Sequence, residues 1–158
     1  MTTVREPESL VRHDGLQDTV PRVLVVDDDV AFAKRLGRML EAEGLVVSVT
    51  HDGADALAAV AETVPDLVVL DICMPVMDGV ACLRALRARF GTRHPAVVIL
   101  TGDPSPRVQI AHLLYNTVCV LRKPCAYETI LDTARRVLRD EASRREEEFP
   151  GRHPGSAS

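Results

Sequence analysis

Short runs of consecutive apolar residues alternate along this chain with longer stretches whose apolar residues recur at helical spacing. The first run, Arg22-Val23-Leu24-Val25-Val26, is β-branched and is stopped by three aspartates. Apolar on both faces, it suits a strand inside a parallel sheet, covered by helices above and below. From Val30 to Glu43, Phe32, Leu36, Met39 and Leu40 fall at helical spacing, with Gly44 just beyond as a stop. Val46 to Thr50 is strand-like. Ala54 to Glu62, rich in Ala and Leu, predicts a helix with Asp52 as its candidate N-cap.

The pair recurs three more times. Pro65 breaks the chain before Leu67-Val68-Val69-Leu70, and Gly79 precedes a helix from Val80 to about Phe90 whose Leu83, Leu86 and Phe90 form one stripe. Ala96 to Leu100 is a third fully apolar run. Pro104 and Pro106 then permit a helix start leading through Val108 to Leu114. Val118 to Leu121 is a short strand, and Tyr127 to about Arg139 carries Ile130, Leu131, Ala134, Val137 and Leu138 on one face. Five strand–helix pairs imply right-handed crossovers and an α/β fold, one parallel sheet with helices on both faces. Residues 1–20 mix charges with Pro7 and Gly15 and show no period, so they are expected to be a flexible leader. Residues 21–141 form the folded domain, and 142–158, where Arg and Glu give way to Pro, Gly and Ser, a disordered tail.

Composition narrows the function more than the fold. The length of 158 residues suits one domain, and 46% apolar residues with 3% aromatics and no Trp require a core of Val, Leu, Ala and Ile. A net charge of −4 offers no footprint for direct DNA binding, and stacking platforms for single strands are missing. No apolar run approaches the roughly 20 residues that span a bilayer. The acidic leader has no apolar segment of the signal-peptide kind, so a cytoplasmic protein without membrane attachment is expected. Cys73, Cys82, Cys119 and Cys125 form no C-x-x-C pair and show no zinc spacing, which favours buried free thiols. The histidines (His13, His51, His94, His112 and His153) are scattered, and no metal or catalytic role is assigned to them.

In open α/β sheets ligands bind at the carboxyl ends of the strands, so those ends are where chemistry is sought. The first strand ends in Asp27-Asp28-Asp29, the third in Asp71, the fourth in Thr101, and the fifth in Lys123-Pro124. Carboxylates converging this closely push at least one of their number towards protonation unless a cation sits among them. A hard divalent ion, Mg²⁺ (or Mn²⁺), meets that need with a few carboxylates plus water and phosphate oxygens. A carboxylate beside such an ion and an ammonium can serve as nucleophile to a phosphoryl donor, giving an aspartyl phosphate. The threonine hydroxyl can then donate to a phosphate oxygen after transfer. Asp29 suits the positive end of the helix that follows.

Taken together, Val23-Leu24-Val25-Val26-Asp27-Asp28-Asp29, Leu70-Asp71-Ile72-Cys73-Met74-Pro75-Val76-Met77-Asp78-Gly79, Leu100-Thr101-Gly102 and Arg122-Lys123-Pro124 resemble the receiver domain of two-component response regulators, over roughly Pro21 to Asp140. The resemblance implies a flavodoxin-like, doubly wound sheet of five parallel strands in the order 2-1-3-4-5 with five helices. It also implies that Asp71 is the phosphoacceptor, Thr101 the switch hydroxyl and Lys123 the phosphate-pairing ammonium. Asp27 and Asp28, Asp71 and the Cys73 main-chain carbonyl would hold Mg²⁺, Asp28 directly and Asp27 mostly through water. A cis peptide bond before Pro124 and a turn conformation at Gly79 go with the same pattern.

Three positions depart from it. Val120 stands where an aromatic commonly reports the state of the hydroxyl, Asn116-Thr117 replaces a Gly-Ala pair, and Cys125 replaces a Phe. Tyr115 and Tyr127 are candidate substitutes, with ordinary half-buried tyrosines the simpler reading. About 18 residues follow Asp140, too few for an output domain. The expectation is therefore a stand-alone response regulator, phosphorylated on Asp71 by a histidine kinase or phosphotransfer protein, that signals by altered binding to an unknown downstream protein, with a homodimer possible. It would catalyse only its own phosphoryl transfer and dephosphorylation and would not be an enzyme with a separate substrate. The alternative is a receiver-like interaction module that works without phosphorylation.

Overall fold

A computed structural model describes residues 20–148 and Pro150. Five strands, β1 (Arg22–Val26), β2 (Val46–Thr50), β3 (Leu67–Leu70), β4 (Ala96–Thr101) and β5 (Cys119–Arg122), pair in parallel in the order β2-β1-β3-β4-β5. They alternate with helices α1 (Val30–Ala42), α2 (Gly53–Glu62), α3 (Gly79–Phe90), α4 (Pro106–Leu114) and α5 (Tyr127–Glu148). This is the flavodoxin-like doubly wound fold, with its topological switch between β1 and β3.

Alternation along each strand sorts the core into two layers. Val23, Val25, Leu67, Val69, Val98 and Leu100 face Leu36 and Leu40 of α1 and Ile130, Ala134 and Val137 of α5. Leu24, Val26, Val68, Leu70, Val97 and Ile99 face Val60 of α2, Leu83 and Leu86 of α3, and Val108 and Ala111 of α4. Neither layer has room for a polar residue in mid-strand. Polar groups therefore appear where the strands end.

Local chemistry sets the helix starts. Asp29, Asp52 and Asp78 are N-caps whose carboxylates accept from Phe32 N, Asp55 N and Ala81 N at 3.1, 2.7 and 2.9 Å. Asp29 and Asp52 thus take the places their sequence context suggests. Gly44, at φ 90°, follows the α1 C-terminus in a left-handed conformation.

Two boundaries differ from the sequence expectation. The last strand is Cys119–Arg122, one residue later than Val118–Leu121, because Thr101 pairs with Arg122 at its carboxyl end. The last helix runs to Glu148, so the part of the expected disordered tail from 142 to 148 is helical. No Gly or Pro interrupts it before Pro150, Arg144 reaches Glu141 within it, and Arg145 Nη2 lies 2.7 Å from Asp66 Oδ1 ahead of β3. The leader over 1–19, His13 and His153, and residues 149 and 151–158 of the tail lie outside the described residues. No helix among the described residues is long and apolar enough to cross a membrane.

The loop between β3 and α3 contains a strained position. Val76 sits at φ 69°, a region that β-branched side chains strongly resist, and its side chain is fully exposed. No packing offsets the strain there. Val76→Gly is accordingly expected to raise stability by about 1 kcal/mol, less than the full strain because glycine also frees the unfolded chain. A rise in the urea midpoint at constant slope is the measurement.

Candidate functional site

Main-chain ladders carry the sheet's order one residue past its strands and fix the backbone of the site. Asp27 N donates to Thr50 O (3.1 Å), Asp71 N to Val26 O (2.9 Å) and Lys123 N to Thr101 O (3.0 Å). The His51 ring reaches Asp27 O at 3.0 Å through Nδ1, so His51 braces the main chain and is no ligand of the carboxylates. The bond between Lys123 and Pro124 is cis.

These backbones bring the expected residues together. Asp27 and Asp71 are 3% and 6% exposed, Thr101 is fully buried and Asp28 faces solvent. Each of the three aspartates offers a carboxylate oxygen within 4.8 Å of the others. Lys123 Nζ lies 2.5 Å from Asp27 Oδ2 and 3.6 Å from Asp71 Oδ2. Its ammonium also sits 4.6 Å from the ring centre of Phe32, which stacks on Tyr127 at 5.7 Å. A cation gripped by a carboxylate and an aromatic face is held in place.

The two carboxylates are not equivalent. Asp27 Oδ1 accepts from Asp29 N at 2.9 Å while Oδ2 takes the lysine. Asp71 Oδ1 accepts from Cys73 N at 3.1 Å, and its Oδ2 has only the more distant ammonium as an ion-pair partner among the described residues. Burial raises the Asp71 pKa, and the Asp27 charge adds to the rise. Lys123, the Cys73 amide and the Thr101 hydroxyl only partly offset it. Burial works against the charge on Lys123, yet Asp27 and Asp71 outweigh it and its pKa is raised. The lysine therefore stays cationic, and Asp71 is the carboxylate with most to gain from a further cation.

That donor set fits a hard divalent ion. Three carboxylates converge, all donors are oxygen, and Asp28 leaves the cluster open to solvent on one side. Mg²⁺ or Mn²⁺ would be held by Asp28, Asp71 and Asp27. The Cys73 thiol is exposed, contrary to the expectation of four buried thiols, because it lies in the loop past β3. Of the four cysteines Cys82 alone is buried, and burial raises its pKa to about 11, while Cys119 and Cys125 are half-buried.

The hydroxyl of Thr101 has a defined orientation. Its oxygen accepts from Asp103 N at 3.2 Å, and Cys73 Sγ lies 4.0 Å away on the donating side. Asp103 closes a turn onto Ser105 N at 2.8 Å. Gly79 is not in a left-handed conformation, contrary to expectation; a Cβ there would collide with Asp71 O, so space is what the position demands. Val120 is half-buried against the α2–α3–α4 layer, as is Tyr115, whose hydroxyl meets Arg84 Nε at 3.3 Å. Tyr127 lies instead on the lysine side, through Phe32. Phe32 carries no sequence signal for this role, since its spacing marks it only as a core residue of α1. Arg107 also belongs to the site's surroundings, and its one sequence signal is a place four residues after Asp103.

The profile of the response regulator receiver domain family matches residues 23–135. The response regulator MprA of Mycobacterium ulcerans (strain Agy99) is 40% identical over 118 residues, which is 75% of this chain and 50% of that protein. MprA of Mycobacterium tuberculosis (strain ATCC 25618 / H37Rv) has the same identity and the same shares. The chain thus spans about half the length of these curated relatives. Among solved structures, the CheY-like receiver domain protein of Methanospirillum hungatei JF-1 superposes with a TM-score of 0.75 at 23% identity, over 80% of this chain and 99% of that one. The chemotaxis response regulator CheY4 of Vibrio cholerae gives a TM-score of 0.68 at 30% identity, over 75% and 99%.

Proposed function

The chain belongs to the response regulator receiver domain family, and from that premise we propose that Asp71 accepts a phosphoryl group from a phosphohistidine on a histidine kinase or phosphotransfer protein. The observation that carries this reading is the buried Asp71 carboxylate converging with Asp27, Asp28 and Lys123. An Asp71 carboxylate oxygen attacks phosphorus, the N–P bond breaks, and the imidazole leaves with the electron pair. Lys123, already charged and anchored on Asp27, is placed to pair with a phosphoryl oxygen. The Thr101 oxygen accepts from the Asp103 amide, and its hydrogen, which faces Cys73 Sγ at 4.0 Å, can turn to another phosphoryl oxygen. Asp27, Asp28, Asp71 and the Cys73 carbonyl would hold a divalent ion, which would supply neutralisation of charge on the transferring oxygens. The modified domain signals through altered binding to a partner protein.

No separate substrate is proposed. An aspartyl-phosphate hydrolase acting on outside molecules would need a second general acid or base beside the nucleophile, and the residue two positions on is Cys73.

Incubation with acetyl phosphate and Mg²⁺ tests the reading. Intact-mass measurement is expected to show the gain of one phosphoryl group, with acetate released to solution as the leaving group, and no gain in excess chelator. Beryllofluoride with Mg²⁺ is expected to raise the melting temperature. If neither reagent has an effect, the domain works without phosphorylation and the proposal is wrong.

A further inference from the structure

Arg107, in the first turn of α4, spans two loops. Its Nη1 lies 2.9 Å from Asp78 Oδ2 and its Nε 2.8 Å from Asp103 Oδ2. Asp78 is also the N-cap of α3, and its other oxygen accepts from Ala81 N. Asp103 is tied a third way, because Arg122 Nη1 donates to its carbonyl at 3.1 Å from the end of β5. The residue so fixed is the one whose amide donates to Thr101 Oγ1. The chain of contacts therefore runs from two loops, through a planar guanidinium, to the lone pair of the buried hydroxyl.

We propose that Arg107 is a positioning residue for phosphoryl recognition: by gripping Asp78 and Asp103 together it fixes the Asp103 amide, which in turn orients the Thr101 hydroxyl towards the phosphoryl group. The inference rests on the reading of Asp71 as phosphoacceptor. Arg107 touches neither the acceptor nor any of the three carboxylates that would hold a cation. Its hydrogen-bonded route to the switch hydroxyl runs through Asp103 to Thr101. A guanidinium fork is suited to the task because one planar group meets two carboxylates at fixed angles, which a lysine cannot do. Arg107 is 46% exposed on its side chain, so the linkage is modest in size and sensitive to salt.

Titration with beryllofluoride at saturating Mg²⁺, beside titration with Mg²⁺ alone, tests this. Arg107→Gln is expected to weaken beryllofluoride binding about threefold to fivefold, the range that one or two exposed ion pairs can supply, while Mg²⁺ affinity stays unchanged. Arg107→Lys should resemble the glutamine variant more than the parent. In a Thr101→Ala background, Arg107→Gln should have no further effect, since the hydroxyl through which it acts is gone. Three results would overturn the inference: unchanged beryllofluoride binding in Arg107→Gln, an equal loss with and without the Thr101 hydroxyl, or a parallel loss of Mg²⁺ affinity. Full rescue by lysine would also overturn it. If the parent chain binds no beryllofluoride, the phosphoacceptor reading itself fails and this inference falls with it, a result distinct from the other four.

Discussion

Asparagine in place of Asp71 is expected to abolish phosphoryl uptake from acetyl phosphate completely, while making the metal-free chain more stable at neutral pH. The first effect follows from chemistry, since an amide oxygen of similar shape has no charge with which to attack phosphorus. No neighbour can substitute. Asp27 is committed to Lys123 and the Asp29 amide, and Asp28 is exposed at the margin of the cluster. The second effect follows from the raised pKa of Asp71, whose chief cause is burial, with the Asp27 charge adding to it. Between the ordinary carboxylate pKa and the raised native one, the folded chain binds more protons than the unfolded chain. Stability of the parent therefore falls as pH rises through that window and stays lowered above it. The Asp71→Asn variant has no such slope, because its amide does not titrate. The two proteins should have melting temperatures that diverge from acid towards neutral pH in chelator, with the asparagine variant the higher. Mg²⁺ should reverse the order: at about 100 times its dissociation constant a bound ion adds about 2.7 kcal/mol to the parent, and the variant has lost one of its ligands. Phosphoryl uptake by Asp71→Asn, seen by intact mass, would move the acceptor elsewhere.

The fold was legible because the three central strands are apolar on both faces and each helix on one. Two-sided burial of β1, β3 and β4 is the property that both writes Val-Leu-Val-Val into the chain and places those strands in the middle of the sheet. The site was legible for a related reason. A core with no tolerance for charge leaves Asp27, Asp71, Thr101 and Lys123 only the strand ends, and a parallel sheet puts all those ends on one edge. What escaped were features decided by contacts between distant segments. The helical run to Glu148 is supported by Arg145 meeting Asp66, far back in the chain. The grip of Arg107 on Asp78 joins residues 29 positions apart, and only the Asp103 half of it, at four-residue spacing, is visible along the sequence. Phe32 is written as core and serves also as a platform for Lys123. Cys73 looks buried in a linear reading because apolar residues flank it; the chain has already left the sheet there.

Gly79 shows how closely site and fold are tied, and its replacement is the second large effect expected. A methyl group at this position would collide with Asp71 O and stand 2.7 Å from Ile72 Cα, both main-chain atoms. A rotamer change cannot relieve such a contact; either α3 backs away or the β3 end shifts. The first movement breaks the bond from Gly79 N to Ile72 O, now 2.9 Å, and the second moves the Asp71 carboxylate. Overpacking of this kind costs about 1–3 kcal/mol, and contact with rigid backbone puts Gly79→Ala near the top of that range. Gly91 supplies the comparison. It sits at φ 55° and ψ −126° with nothing within 4 Å of where a methyl would stand, so Gly91→Ala strains only its own backbone, at a cost of about 1–3 kcal/mol. Urea denaturation should therefore place both variants below the parent. Beryllofluoride titration should separate them in kind, because Gly91 lies beyond the far end of α3 while Gly79 abuts the Asp71 carbonyl. Weakened binding in Gly79→Ala, with binding intact in Gly91→Ala, is the expected result. Intact binding in both would mean that α3 yields rather than the strand end, and that Asp71 is held independently of the helix behind it.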